Sequence, residues 1–299
     1  MEDKLINYGG QALIEGVMMR GRKACAVAMR APDGKIITKT ESLGGIYKTH
    51  IAKIPFLRGL VMLWDSLGLG MRALTDSANL QTGQEEKLEG PILYISLGLT
   101  FVVAIVIFFL IPAGVGWLTE HFLHWNAWWS NFLEGVLRLL MLVGYIWAIG
   151  FMPDIARVFA YHGAEHKTIN AYEAGADLTP ESVAKFPLAH TRCGTAFLLT
   201  LMVLSLFVFT ILGPLSLEWR LLSRILMIPV LVGVAYEYLR WTANHIKSPF
   251  IQIIVKPNLA LQSLTTREPN EQMLEVAIAA FQEMKKAEGT PEPVQTVEE

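Results

Sequence analysis

The sequence predicts a mainly α, polytopic membrane protein: four transmembrane helices and an amphipathic helix, with a small α+β cytoplasmic module made from the N- and C-terminal segments. Three observations predict it. Of 299 residues, 53% are hydrophobic and only 17% charged, a balance too apolar for an ordinary soluble domain. Residues 92–111 run for 20 residues without a charge, enough to cross about 30 Å of hydrocarbon at about 1.5 Å per residue. Lysines and arginines are missing from one loop between apolar segments and gathered in others, as in an oriented set of spans.

Residues 1–90 read as a cytoplasmic or interfacial segment. The first thirty carry Glu2, Asp3 and Glu15 and no long apolar core, so no cleavable signal peptide is expected. GGQALIEGVMMRG has no clear periodicity. Its glycines allow close backbone approach, and Glu15 and Arg20 either complete a polar site or belong to a turn-rich cap. ACAVAMR and KIITKTE flank Ala31-Pro32-Asp33-Gly34, a turn between β-prone runs, which predicts a hairpin over about 24–41. Over 54–80 an apolar stripe (Leu57, Leu60, Val61, Trp64, Leu67, Met71, Leu74) is interrupted by Arg58, Asp65, Arg72 and Asp76. This predicts an amphipathic helix, on the membrane surface or packed on the bundle. Residues 82–89 form a polar, acidic linker.

Residues 91–245 are expected to hold four spans. The first is 92–111. The second, about 133–152, carries Glu134 and Arg138 near one end, within reach of the interface. The third, about 196–212, stops at Gly213-Pro214, and the fourth, about 222–241, has Arg224 and Glu237 near its ends. Trp125, Trp128 and Trp129, between the first two, form an interfacial aromatic belt. The lysine and arginine distribution places both termini and the loop 154–195 on the cytoplasmic side of the inner (cytoplasmic) membrane. The two cysteines, Cys25 and Cys193, then lie in a reducing compartment, which suits a thiolate ligand better than a disulfide. In 246–287, a strand over 249–256 ends at Pro257, and a helix follows with Met273, Ala277, Ala280, Phe281 and Met284 on its buried face. Residues 288–299 are an acidic, disordered tail. With a net charge of −2 and no basic stripe with interleaved aromatics, nucleic acid is excluded as a partner. The lipid bilayer is the expected one.

The chemistry concentrates in DIARVFAYHGAEHKTINAYEAG, where His162, Glu165 and His166 make an H-x-x-E-H pattern. On a helix His162 and His166 share a face one turn apart, with Glu165 beside them. Two imidazoles at that spacing can grip one divalent metal, zinc above all, and the carboxylate can serve as general base toward a water the ion activates. H-x-x-E-H is an inverted zincin arrangement. His190-Thr191-Arg192-Cys193, just before the third span, supplies a second pair from another segment. Four ligands would close a structural site; three would leave room for water. A hydrogen-bonded trio in a membrane-edge core accounts for the same residues without a metal. Glu173, seven residues past His166, is about 10 Å along the axis and fails as a ligand on a straight helix. Asp154, Glu15 and His245 are weaker candidates, Asp154 also suiting an N-cap. Gly163 marks either a close approach or a later helix start.

Four of these stretches, GGQALIEGVMMRG, YHGAEHKTINAYE, HTRCGTAFL and SPFIQIIVKPNLALQSLTTREP, resemble the YqhQ-like family of bacterial multi-pass membrane proteins, across about residues 8–281. The resemblance implies a membrane location and a predicted metal-dependent enzyme, without a reaction. It carries no catalytic residues, so the site rests on the spacing above. Three functions then compete: a metal-dependent hydrolase at the cytoplasmic face, a non-enzymatic scaffold or assembly factor for other membrane proteins, and a transporter. The last is disfavoured by the lack of a visible inverted repeat and of a mid-span charge.

Overall fold

The computed structural model describes residues 8–43, 51, 54–82, 90–191, 193–246 and 248–289. Of the linker expected over 82–89, Thr82 ends a helix and the rest lies outside them, as do Arg192, Lys247 and, of the tail expected over 288–299, residues 290 onward. The chain begins with an antiparallel meander, β1 (Gly9–Leu13), β2 (Gly16–Arg20), β3 (Ala24–Arg30) and β4 (Ile36–Ser42), in sequential order. The hairpin expected over 24–41 is the β3–β4 pair, with Ala24 opposite Ser42 and Arg30 opposite Ile36. The stretch read as a turn-rich cap is instead the β1–β2 pair. Its alternation was hidden by two glycines and a two-residue turn in which Glu15 takes φ 51°.

Strand periodicity divides this sheet between two cores. Val17, Met19, Ala26 and Ala28 face one side, while Met18, Cys25, Val27 and Met29 face the other. Against the second face lies α1 (Leu57–Thr82), through Leu69 and Ala73. This is the expected amphipathic helix, but its small residues turn inward: Gly59, Gly70, Ala73 and Ser77 are buried, while Trp64 is 77% exposed. The charges confirm that orientation, because Asp65 pairs with Arg20 of β2 at 2.8 Å and Asp76 with Lys39 of β4 at 2.6 Å.

The apolar helices follow. α2 (Pro91–Ile105) continues through a π-helical turn, Val106–Leu110, into α3 (Ile111–Phe122), and α4 spans Ala127–Ile149. Over Leu93–Phe122 and over Ala127–Ile149 the chain is long and apolar enough to cross a membrane. The other two expected spans are altered. α7 (Thr195–Ile211) is apolar but has only 17 residues, about 25 Å at 1.5 Å per residue. The fourth is broken at Met227 into α8 (Leu217–Leu226) and α9 (Ile228–Asn244), bent by 43°. Pro229 explains the break, since it lacks an N–H and clashes with the preceding turn. Among the described residues there are thus two membrane-length helices, or three if the bent pair counts as one. Composition alone predicted four.

Between these helices run α5 (Pro153–Glu173) and the short α6 (Pro180–Val183). The strand expected over 249–256 is the start of a helix, α10 (Pro249–Thr265), with Pro257 inside it. A proline in a helix interior costs about 3 kcal/mol. Buried Ile251, Val255, Asn258, Leu261, Gln262 and Thr265 recur at helical spacing along α10, and Leu261 joins the core formed by Leu142, Ile146, Leu199 and Met202. That tertiary burial overrides the β-branched run. α11 (Glu271–Ala287) closes the chain with Asn270 accepting from the Met273 amide at its start. Met273, Ala277, Ala280, Phe281 and Met284 are all buried, packed with α5 against the first face of the sheet.

Candidate metal centre

α5 leaves the apolar region and carries His162 and His166 on one face, as the four-residue spacing requires. Their ring centroids are 4.3 Å apart. Cys193 arrives from the turn before α7. One ligand atom each from His162, His166 and Cys193 lies within 4.8 Å of the others, a group that could hold a metal ion. His190 adjoins this trio, its ring 5.4 Å from that of His166.

The ring orientations are fixed from behind. His162 Nδ1 donates to the Thr265 carbonyl at 2.9 Å, and His166 Nδ1 to the Leu188 carbonyl at 2.6 Å. His190 Nδ1 donates to Asn170 Oδ1 at 3.0 Å, while Asn170 Nδ2 donates to the Pro187 and Ala189 carbonyls, which sets which way that amide faces. Carbonyl and amide oxygens only accept, so each ring carries a proton on Nδ1, and Nε2 is the atom whose lone pair the neutral ring can offer to a metal. His162 Nε2 lies 3.2 Å from Cys193 Sγ. Nε2 of His166 and of His190 are buried and have no partner among the described residues. Buried acceptors without partners are uncommon in folded proteins. Ligating histidines hold their remaining N–H on an oxygen in this way.

Tertiary elements place these groups. Gln262 of α10 pairs reciprocally with the His190 backbone, accepting at 3.1 Å and donating at 2.6 Å. The segment after α10 crosses α5 at Gly163, where a Cβ would meet the Arg267 carbonyl at 2.1 Å. Gly163 therefore marks a close approach inside a continuous helix, and it brings the Thr265 carbonyl to His162. Burial pushes the His190 imidazole down to about 4, with His166 and His162 adding to the effect. That keeps it a neutral donor of electrons at ordinary pH.

Glu165 takes a different direction. It is 4% exposed, and its carboxyl faces β1, accepting from the Gly10 amide. A Cβ on Gly10 would lie 2.9 Å from the Glu165 carboxyl carbon. Burial raises Glu165 to about 7, against smaller lowering contributions from His162 and Gly10. Its carboxylate is outside the converging trio, and Oε2 has no hydrogen-bond partner among the described residues.

The weaker candidates go elsewhere. Glu15 forms a two-pronged ion pair with Arg157, both contacts at 2.6 Å, and accepts from the Tyr161 hydroxyl at 3.1 Å, pinning the β1–β2 turn to α5. Asp154 lies in the first helical turn rather than at its cap, which is Met152. His245 donates to the Trp241 carbonyl at 2.8 Å. Sequence reasoning missed Asn170, Gln262, Thr265 and Gly10. All four lie in stretches that the sequence marks out, but Asn170, Gln262 and Thr265 are ordinary polar residues whose roles exist only across elements.

A family profile described as "Protein of unknown function (DUF1385)" matches residues 54–287, which include His162, His166, His190 and Cys193. The chain belongs to the DUF1385 family. This DUF1385 chain is also 34% identical over 300 residues to "Uncharacterized protein YqhQ" of Bacillus subtilis (strain 168), covering 95% of this chain and 94% of that one. No solved structure matches it. The resemblance read from the four motifs thus holds at family level.

Proposed function

We propose that this DUF1385 protein is a multi-pass protein of the cytoplasmic membrane that binds one zinc-type divalent ion and uses it as an enzyme of hydrolase type. The observation that carries the reading is the convergence of one ligand atom each from His162, His166 and Cys193 within 4.8 Å, with both of these imidazoles held through Nδ1 and His190 packed beside them. The donor set of nitrogen and sulfur suits zinc. His162, His166 and Cys193 would hold the ion, with His190 as the fourth group in reach. Bound there, the ion would supply Lewis-acid activation of water. Glu165, buried beside His166, is the candidate general base, and the Gly10 amide orients its carboxyl.

A second reading has its own support. His166, His190 and Cys193 are buried, and with His190 bound the sphere would be complete and structural. The protein would then be a scaffold or assembly factor for other membrane proteins, with the metal bracing α5 against α7.

Metal content of the full-length protein purified in detergent decides the first point. About one zinc per chain is expected, falling by at least tenfold in His166→Gln and Cys193→Ser. A wild-type chain without metal, which zinc does not stabilise, would sink both readings that use an ion. Glu165→Gln divides enzyme from scaffold: retained metal and fold with a lost ability to complement a deletion strain favours catalysis. For topology we infer four spans with both termini inside, from the lysine and arginine distribution. His121→Cys should then label from outside and Thr179→Cys from inside.

A further inference from the structure

The sequence places Glu134 and Arg138 where they could reach the interface. In the fold they turn inward, and with Arg220 and Arg224 of α8 they are 0% exposed. Arg138 donates to Glu134 at 2.7 Å, to Ser205 at 3.0 Å and to the Phe108 carbonyl at 3.0 Å, in the π-helical turn before α3. Arg224 makes two bonds to Glu134, at 2.7 and 2.6 Å, and both it and Arg220 reach Asn131 Oδ1. The aromatic face of Phe209 lies 4.4 Å from the Arg224 guanidinium. α8 is thus amphipathic with its arginines inside and Trp219 and Leu226 outside.

The charges in this cluster do not balance. Three guanidiniums, charged at any physiological pH, face two carboxylates, Glu134 and the part-exposed Glu120. Glu134 accepts three bonds from Arg138 and Arg224. Arg220 is left with Nη2 bonded to Asn131 and 3.0 Å from Glu120 Oε2, Nε 3.8 Å from Glu134, and Nε, Nη1 and that Glu120 oxygen all buried without a hydrogen-bond partner among the described residues. An unmatched positive charge within an apolar bundle is costly. Its unpartnered N–H groups can each donate a charge-assisted hydrogen bond to an anion. The cluster is also framed by a π-turn and a broken helix, both of which recur around functional sites within membranes.

We propose that Arg220, with Arg138 and Arg224 behind it, forms a buried binding site for one small monovalent inorganic anion of the halide class, between α3, α4 and α8. One negative charge beside Arg220 Nη1 balances the cluster and gives that buried N–H group a partner, on the side of the guanidinium away from Glu134. The three arginines and Glu134 are 0% exposed, which favours a single-atom anion over a bulkier organic one. This inference is independent of the metal reading, because the cluster lies at the far end of α4 and α7.

The test is thermal unfolding of the full-length protein in detergent, titrated with sodium chloride or bromide against sodium gluconate at constant ionic strength. Chloride and bromide should raise the midpoint saturably by several degrees, and gluconate should not. Arg220→Gln should lose that response. Glu120→Gln, which removes a competing carboxylate, should lower the half-saturating chloride concentration by about tenfold (a 1.4 kcal/mol gain), and it keeps the test decisive if Arg220→Gln fails to fold. A midpoint that follows ionic strength whatever the anion would overturn the proposal, as would an unchanged half-saturation in Glu120→Gln. So would a chloride response retained by Arg220→Gln.

Discussion

Two buried polar clusters occupy opposite ends of the same helices. α7 begins beside Cys193 and ends before Gly213, whose carbonyl accepts from Asn131 of the arginine cluster at 3.0 Å. At one end the unpartnered atoms are lone pairs, the Nε2 atoms of His166 and His190. At the other they are two N–H donors of Arg220 and one carboxylate oxygen of Glu120. The difference is chemical and directional: neutral imidazoles call for a cation, and an excess guanidinium calls for an anion. It also separates how each cluster was built. The histidines are aimed by backbone carbonyls and amides from neighbouring segments, whereas the arginines are held by charge and by aromatic faces.

The largest expected effect breaks the arginine end. Glu134→Gln removes the carboxylate that two arginines share, and loss of one partner from a buried ion network costs about 3–5 kcal/mol. The variant should fail to accumulate or should unfold far below wild type in a detergent melt, and a near-normal melt would show that Glu134 is not the charge anchor. Next, a zinc chelator acts only on the histidine end. Free ion at 100 times Kd stabilises by about 2.7 kcal/mol, so chelation should lower the midpoint of wild type and leave Cys193→Ser unmoved.

Gly163→Ala sharpens the comparison by disturbing position rather than donors. Forcing a Cβ against the Arg267 carbonyl should cost about 1–3 kcal/mol and weaken metal binding. The control Gly68→Ala, where a Cβ meets nothing within 4 Å, should be neutral or gain up to about 1 kcal/mol from helix propensity. Equal behaviour of the two would remove the close approach from the account. The smallest effect concerns the Glu15–Arg157 pair. Arg157 holds the Glu15 carboxyl below its usual range, so the contact stabilises the fold above roughly pH 4.3 and is lost as pH falls through the depressed value. Partly exposed, it is worth about 1 kcal/mol or less. Glu15→Gln should flatten that acid limb in a melt series from pH 6 to 3.

Much of the histidine end was legible because its signal is local. The spacing of His162, Glu165 and His166 within one helix, and of His190 and Cys193 near the start of another, can be read in a few residues. The helix over 57–82, the β3–β4 hairpin and the buried face of α11 were readable for the same reason: periodicity and turn chemistry act over short range. The arginine end was not. A charge near an expected helix start, as Glu134 and Arg138 are, looks the same whether it snorkels or turns inward, and only the positions of α3 and α8 decide it. α10 was misread because IQIIV between two prolines has strand propensity, although Ser248-Pro249 is also a helix start. Its buried stripe became visible only once α4 and α7 were there to cover it.

By itself the sequence determined the class of protein, the residue types able to bind a metal and the helix that pairs His162 with His166, since composition and spacing are properties of the chain alone. The tertiary structure decided that Cys193 reaches that pair with His190 packed beside His166, that the Glu165 carboxyl accepts from Gly10, and that three arginines converge inside the bundle. Those outcomes depend on which segments lie side by side. Contacts between residues far apart in the chain are set by packing, which no local pattern contains.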